Sequence, residues 1–196
     1  MKPTKAPFVA SLLLACLTFA LSGFPADRPE GQWQTLFNGQ DLKGWAPVHD
    51  VTFEVKDGNL RLVKGMGWLR TEKEYKDFIL EFEWRALEEQ YDSGIFLRAG
   101  LEGKPWPTDG WQLNLRYNQI GGLVKGTRTV VPAETPKVPV NKWAKFRVEV
   151  RGNKVKLIVD GEDAWETDKL DAQRGYLGIQ AENKPFDFRN IRILEL

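Results

Sequence analysis

The sequence predicts an all-β fold, a jelly-roll-like sandwich of two antiparallel sheets. Short runs of alternating apolar and polar residues recur along the chain, and Gly, Pro, Asn and Asp separate them. Beyond a single turn near TEKEY, at 71–75, no stretch has a convincing helical period. About ten strands at this spacing are typical of a sandwich or a barrel. A chain of 196 residues is long enough for one domain with a real core, to which 8 Trp and 11 Phe contribute apolar area.

The N-terminal stretch 1–22 indicates an export signal. Lys2 and Lys5 precede the apolar segment FVASLLLACLTFALSG, which is short for a membrane span, and Ala20-Leu21-Ser22 offers a small-x-small cleavage site. The alternative is a lipoprotein signal, because LLAC ends at Cys16, although LTFAL stays apolar after it. We expect an exported protein, periplasmic or extracellular, whose domain at 31–196 has no transmembrane span. A lipid anchor at Cys16 stays open.

Composition excludes several partners and chemistries. The 28 basic and 27 acidic residues give a formal charge of +1 without a long single-sign run, so we expect no nucleic-acid partner. Cys16 is the only cysteine, so cleavage of the signal excludes disulfides, zinc–thiolate sites and a cysteine nucleophile. His49 is the only histidine, and neither HExxH nor GxSxG occurs. We therefore expect no metal, no cofactor and no serine triad.

Turn residues divide the chain into strands. VTFEVKDGNLRLVKG predicts a hairpin that turns at Asp57-Gly58-Asn59, because glycine admits the positive φ of a tight turn. KFRVEVRGNKVKLIVDGEDAWE repeats this device at Gly152-Asn153 and at Asp160-Gly161. The Pro- and Gly-rich stretches 101–106 and 125–141 predict long surface loops. Further strands are predicted at DFILEFEWRA, SGIFLRA, WQLNLRY, GYLGIQAE and FRNIRILEL.

Strand parity indicates where a binding site lies, because successive side chains point to opposite faces of a sheet. In SGIFLRA, Phe96 and Arg98 share a face, and in WQLNLRY, Gln112 and Asn114 lie opposite the apolar residues. We predict that Arg98, Gln112 and Asn114 project into a water-facing, concave hollow. Their paired donors and acceptors there suit the vicinal hydroxyls of a sugar.

Other runs add candidates to this hollow. GYLGIQAE places Gln180 and Glu182 on one face, and DFILEFEWRA places Glu83 opposite its apolar face. The alternative is that such residues form only the wet face of an antiparallel sheet, where charges need no function. We favour that alternative for a set of charged residues: Glu81, Arg116, Arg147, Glu149 and Arg151.

The tryptophans divide into two sets. The first set is flanked by strand pattern and is predicted to lie in the core: Trp45, Trp84 and Trp143. The second set lies near Gly- or Pro-rich loops and is predicted to line a sugar cleft: Trp68, Trp106 and Trp111.

Five segments in order resemble one family. They are LFNGQDLKGW, LRTEKEYKDFILEFEWR, DSGIFLR, NKWAKFRVEVRGNKVKLIVDG and GYLGIQAENKPFDFRNIRILEL, and together they span nearly all of the chain after the export signal. This pattern is similar to the bacterial 3-keto-disaccharide hydrolase domains. The resemblance implies a concanavalin A-like sandwich and an exported hydrolase acting on oxidised sugars. Where members commonly show GYEVQ, this chain has GWQLN, so Gln112 stands at a carboxylate position; Asp92 stands where asparagine is common.

The resemblance also implies a mechanism for glycosides oxidised at C3. The ketone acidifies the C2 hydrogen, so a base can remove it and the C1 substituent can leave by elimination before water adds; paired-carboxylate hydrolysis is the other route. Arg98, with Gln112 or Asn114, would stabilise the enolate, while Trp111 and Gln180 would contact the sugar. The candidates for the base are Glu83, Asp92 and Glu182. Two alternatives remain, a non-catalytic carbohydrate-binding module and an interaction domain of the cell envelope.

Overall fold

The structure of this protein, a computed structural model, describes residues 31–133 and 137–196. The predicted export signal and Cys16 lie outside the described residues. Regular structure in the described part consists of strands, and no helix there is long and apolar enough to cross a membrane. The strands are β1 (Trp33–Thr35), β2 (Trp45–Lys56), β3 (Asn59–Tyr75), β4 (Phe78–Ala86), β5 (Gly94–Ala99), β6 (Trp111–Asn114), β7 (Leu123–Lys125), β8 (Arg128–Val131), β9 (Ala144–Arg151), β10 (Lys154–Val159), β11 (Glu162–Thr167), β12 (Gly175–Glu182) and β13 (Phe186–Glu195).

The strands pair along one path that folds into two layers. Its order is β11-β10-β9-β4-β13-β3-β12-β5-β6-β7-β8, with β1 beside β13 and β2 beside β3. Strand β3 is shared, because Leu60 and Arg61 pair with β13 whereas Met66–Tyr75 pair with β12. We call β1, β4, β9–β11 and β13 the first sheet, and β2, β3, β5–β8 and β12 the second sheet. The predicted antiparallel sandwich is confirmed.

The core lies between the sheets and takes alternate residues from both. Phe82 and Phe146 of the first sheet stack with ring centroids 5.1 Å apart. Leu177 and Ile179 of the second sheet belong to the same buried cluster. Burial of this many large apolar side chains is the main source of stability, at about 25 cal/mol per Å² of apolar area.

Two of the three predicted core tryptophans, Trp45 and Trp84, are buried. The prediction for Trp143 is wrong, because it directly precedes the buried Ala144 and its side chain therefore takes the opposite face. Its ring instead packs against two guanidinium groups, with Cζ of Arg85 and Cζ of Arg189 at 4.6 and 4.0 Å from the ring centroid. Such cation–π contacts suit a half-exposed position.

The three predicted hairpin turns are confirmed at the ends of β2, β9 and β10. Two details differ from the sequence prediction. The stretch 71–75 is no helical turn but the end of β3, because Tyr75 pairs with Gly175 of β12 and this pairing outweighs a weak local preference. The segment 125–141 is not all loop, since it contains β8.

A buried carboxylate ties the strands together where the two sheets meet. Asp187 of β13 has no exposed side-chain area. Nε of Arg61, on β3, lies 2.6 Å from its Oδ1, and Nη2 of Arg85, on β4, lies 2.7 Å from its Oδ2. Both oxygens of the carboxylate are thus paired with a guanidinium group, and three strands are fixed at this corner.

Candidate functional site

The outer face of the second sheet carries a group of polar side chains that we call the polar cluster. Alternation produces it, since Leu177, Ile179 and Leu113 point into the core and their neighbours point outward. The polar cluster consists of Gln180 and Glu182 on β12, Gln112 and Asn114 on β6, Asp92 just before β5, and Arg116 just after β6. It brings together five of the eight residues predicted for the site.

Gly94 allows the two glutamines of the polar cluster to meet. It lies on β5, between β12 and β6, and a Cβ at this position would overlap the side-chain amide of Gln112. Across this gap Nε2 of Gln112 donates to Oε1 of Gln180. Nε2 of Gln180 in turn donates to Oε2 of Glu182, at 3.1 Å. The amides therefore form a continuous hydrogen-bonded chain that ends on a carboxylate.

Two carboxyl groups of the polar cluster hold their protons more strongly than usual. Burial raises the pKa of Asp92, and Arg116, whose Nε lies 3.3 Å from its Oδ2, opposes this rise. Burial also raises the pKa of Glu182, the negative charge of Asp92 raises it further, and Arg116 opposes both. Acidic groups whose pKa is raised in this way are better able to donate and accept protons than exposed carboxylates.

The side chain of Asn114 stabilises the turn at the edge of the polar cluster. Its Nδ2 donates to Oε1 of Gln119 at 3.0 Å, and its Oδ1 accepts from the backbone N–H of Arg116 at 3.0 Å. These bonds fix the turn that brings Arg116 to Asp92. Strand parity predicted only a solvated face for Arg116. Its place in the cluster follows from the bond between Asn114 and its backbone N–H together with its contact to Asp92.

Aromatic residues line the same face beside the polar cluster, and we call them the aromatic wall: Trp68, Phe96, Trp106 and Tyr176. Trp68 pairs in register with Gln180, and its ring meets Phe96 edge to face at 5.5 Å. Trp106 is half-buried and its Nε1 donates to the carbonyl of Ala181 at 3.3 Å. Trp68 and Phe96 are themselves buried, so the prediction that Trp68 lines a cleft is wrong, and the accessible indole surface beside the glutamine pair is that of Trp106.

Trp106 belongs to the loop 100–110, which joins β5 to β6 and crosses the outer face of the second sheet. The loop reaches β2, where Nε2 of His49 lies 2.9 Å from the carbonyl oxygen of Gly103. It returns through Pro107, which is buried. The loop therefore passes beside the polar cluster and packs against β12 through the bond from Trp106 to Ala181.

The prediction that Arg98 lies in the hollow is wrong. The pairing of β5 with β12 is interrupted after Phe96, and Arg98 has a positive φ of 53°. A β-bulge breaks the alternation, so Arg98 no longer shares the face of Phe96. Its guanidinium is fully buried and donates to the carbonyls of Lys76, Gly152 and Ala172 and to Asp77.

Trp111 also does not line the cleft, against the prediction. Its side chain is buried in the core, and its Nε1 donates to Oδ1 of Asp171 at 2.7 Å. Parity gives the reason, because Trp111 is adjacent to Gln112 in β6 and must point the opposite way. Strand parity was therefore a better guide to the position of Trp111 than its nearness to a Gly- or Pro-rich loop.

Glu83, one of the three alternative candidates for the base, lies on the outer face of the first sheet, away from Asp92 and Glu182 of the polar cluster. Its Oε2 accepts from Nε of Arg189 at 2.7 Å, and its Oε1 accepts from Nδ2 of Asn190 at 2.8 Å. Burial raises the pKa of Glu83, but these hydrogen bonds outweigh it and lower the pKa overall. Strand parity correctly predicted that Glu83 points away from the core. It could not predict which of the two sheets β4 belongs to.

Within residues 31–133 and 137–196, no group of three or more His, Cys, Asp and Glu side chains is arranged to hold a metal ion. The chemical groups of the polar cluster are two carboxyl groups, one guanidinium group, and side-chain amides, two of which are in contact. This set can exchange protons and can bind several hydroxyl groups at once.

Solved structures share the fold. A candidate glycosyl hydrolase from Parabacteroides distasonis ATCC 8503 is 23% identical, with a TM-score of 0.67 over 85% of this chain and 94% of that chain. The carbohydrate-binding module CBM66 from Bacillus subtilis is 16% identical, with a TM-score of 0.64 over 76% and 94%. A β-1,3-1,4-glucanase derived from a mouse hindgut metagenome is 12% identical, with a TM-score of 0.58 over 84% and 98%.

The sequence itself matches a family model. The model describes the 3-keto-alpha-glucoside-1,2-lyase-like domain, and the match covers residues 32–194. The resemblance inferred from the five sequence segments is thereby confirmed. No curated protein sequence matches the chain. Because the match covers most of its length, this chain belongs to the family of 3-keto-alpha-glucoside-1,2-lyase-like domains, which are carbohydrate-related.

Proposed function

We propose that this protein cleaves 3-keto-glycosides, such as 3-keto-disaccharides, at the polar cluster. The observation that carries the proposal is the pair of adjacent carboxyl groups, Asp92 and Glu182, whose pKa values are both raised by burial. Family membership supports the choice of a sugar oxidised at C3.

Glu182 is the base in this proposal. Gln180 binds one of its oxygens, which leaves the other to take the C2 proton of the sugar. The electron pair of the C2–H bond forms an enolate whose negative charge lies on the C3 oxygen. Arg116 and the amides of the cluster stabilise that charge, an effect commonly worth about 3 kcal/mol.

Asp92 is the acid. As the C3 carbonyl re-forms, a double bond forms between C1 and C2, the bond from C1 to the leaving oxygen breaks, and Asp92 gives its proton to that oxygen. Water then adds across the double bond, with the hydroxyl going to C1 and the proton to C2. The sum of the steps is hydrolysis of the glycoside.

The aromatic wall binds the sugar ring in this proposal. Trp106 has accessible indole surface beside the glutamine pair, and a sugar presents C–H groups that pack on such a surface. Arg116, whose side chain is 45% exposed, is placed to bind ring hydroxyls beside Trp106. The loop 100–110 limits water around the reacting atoms on this side.

The test is an assay of the purified protein on a panel of 3-keto-glucosides and their unoxidised parents. Glu182→Gln and Asp92→Asn should each lower kcat/KM on the keto substrates at least about 100-fold. Glu83→Gln is the matched control, because it removes the same charge from the other sheet, and it should leave the rate unchanged. Equal losses in all three variants, or no turnover by the unmodified protein, would contradict the proposal.

A non-catalytic carbohydrate-binding module is the second candidate. Gln112 favours it, because an amide stands where the resemblance leads one to expect a carboxylate, and the likeness to CBM66 supports the same reading. This candidate predicts saturable binding of an unoxidised sugar with no turnover of any keto-glycoside. Calorimetry beside the assay distinguishes the two.

We also propose that the protein is exported through its segment 1–22. Mass spectrometry of the mature N-terminus should find cleavage after Ser22. Cleavage before Cys16 with an added lipid mass would establish the lipoprotein alternative.

A further inference from the structure

The hydrogen-bonded chain from Gln112 to Glu182 has a direction that chemistry fixes. An ionised carboxylate only accepts hydrogen bonds, so Gln180 must present Nε2 to Glu182, as it does at 3.1 Å. The carbonyl Oε1 of Gln180 then points the other way and needs a donor. Gln112 supplies that donor through its Nε2.

Because these amides are buried, the donor-to-acceptor direction of their hydrogen bonds affects the energy of the cluster. The exposed fractions of Gln112 and Gln180 are 9% and 6%, so water has little access to correct a mismatch. Two acceptors facing each other in such surroundings would each lose a hydrogen bond. Gly94 has no Cβ, and this leaves room for the two amides to meet. A Cβ at this position would displace Gln112.

We propose that Gln112 is a positioning residue: its amide holds Gln180 in the one orientation in which Gln180 donates to Glu182. The inference rests on the proposed function for the role of Glu182 as the base. A donor on one oxygen of Glu182 favours the ionised carboxylate and directs the second oxygen towards the sugar.

Other charged groups also face Glu182 and set the background for the test. Asp92 and Arg116 approach it from the β5 and β6 sides. On the β3 side its register partner is Met66, which carries no charge. The nearby Lys184 is directed to Glu88, with 3.4 Å between Nζ and Oε2.

The decisive variant is Gln112→Glu. A carboxylate at 112 cannot donate, so Gln180 must turn its Nε2 towards it and its Oε1 towards Glu182. We expect the pKa of Glu182, followed by carbon-13 NMR of its side-chain carboxyl, to rise by about one pH unit or more. In the unmodified protein the side-chain NH₂ signal of Gln180 should follow the titration of Glu182, because the two groups are hydrogen-bonded, and in Gln112→Glu it should stop doing so.

Two variants separate orientation from charge. Asn114→Asp adds the same charge on the same face but outside the chain, so the NH₂ signal of Gln180 should still follow Glu182. Gln112→Met removes the donor without adding charge, and should raise the pKa of Glu182 by a few tenths of a pH unit. If Gln112→Glu fails to fold, Gln112→Met decides. An unchanged titration of Glu182 in Gln112→Met, or an unchanged Gln180 response in Gln112→Glu, overturns the inference.

The NMR readout needs no substrate, so it separates this inference from the proposed function. Turnover of keto-glycosides with no NMR change would sink the inference alone. The expected NMR change without turnover by the unmodified protein would sink the proposed function alone. If both hold, the acid limb of the kcat/KM profile should move to higher pH by the same amount as the Glu182 titration.

Discussion

Arg98 and Asp77 form an ion pair in which the guanidinium is fully enclosed while the carboxylate keeps contact with solvent. Nη2 of Arg98 lies 2.8 Å from Oδ1 of Asp77, and their side chains are 0% and 28% exposed. The same oxygen of Asp77 accepts from the backbone N–H of Gly152 at 2.8 Å. The pair therefore joins β5 to the start of β4 and to the β9–β10 turn.

We expect Arg98→Met to lower the free energy of unfolding by about 3 kcal/mol, because it leaves buried carbonyls without donors. Urea unfolding measures this. Arg151→Met, at an exposed position at the end of β9, should change it by less than about 0.5 kcal/mol. A variant of Arg98 that keeps normal stability but loses sugar binding would return Arg98 to the list of site residues.

Trp106→Ala should weaken sugar binding about tenfold, since one aromatic stacking contact is worth about 1 kcal/mol beyond its buried area. Isothermal titration calorimetry or KM on a keto-glycoside measures the change. Trp33→Ala is the matched control, because Trp33 is also partly exposed but lies on the first sheet. Equal weakening in both variants would argue against a sugar contact at Trp106.

Gly94→Ala should lower activity about tenfold or more and lower the free energy of unfolding by about 1 to 3 kcal/mol, because the enclosed amides lose their hydrogen bond. The added methyl would separate Gln112 from Gln180, and small displacements of binding groups are costly to catalysis. Kinetics and urea unfolding on the same preparation check both halves. Full activity in this variant would mean that the contact between the glutamines has no functional role.

Asp92→Asn and Glu182→Gln should stabilise the protein at neutral pH. The folded protein binds these two protons more tightly than the unfolded chain, because burial raises both pKa values. The stability they contribute is therefore complete below the unfolded pKa values and is lost as the pH rises through the folded ones. We expect a gain of about 1 kcal/mol at about pH 7 and none at about pH 3.

Glu81→Gln should show the opposite pH dependence. Burial opposes ionisation of Glu81, but hydrogen bonds from Arg192 and Arg147 outweigh it and lower the pKa. Its contribution is present above the unfolded pKa and is lost as the pH falls through the folded one. A loss of about 2 kcal/mol at about pH 7 that disappears under acid conditions is expected from thermal unfolding. The same sign of effect at Glu81 and Glu182 would contradict this assignment of charges.

Alternation in the sequence was sufficient to predict the sandwich and the outward direction of Gln112, Asn114, Gln180 and Glu182. It failed at Arg98, because a bulge adds one residue to a strand without leaving a clear sequence signal. It could not separate Glu83 from Glu182, because parity is defined within a strand and does not tell which sheet the strand joins.

The contact between Asp92 and Arg116 also could not be predicted from the sequence. Each lies outside a strand, one before β5 and one after β6. Their approach depends on the β5–β6 register, in which Gly94 pairs with Asn114. That register is set by the whole sheet, so no local pattern around either residue could reveal it.

Because β3 holds hydrogen bonds to partners in both sheets, neither sheet can slide past the other without breaking a ladder. We expect any movement around a ligand to lie in the connections between strands, of which the segment 100–110 borders the polar cluster. The strands would form a rigid base. Crystal structures with and without sugar should superpose along every strand and differ only in the connections between strands, such as the segment 100–110.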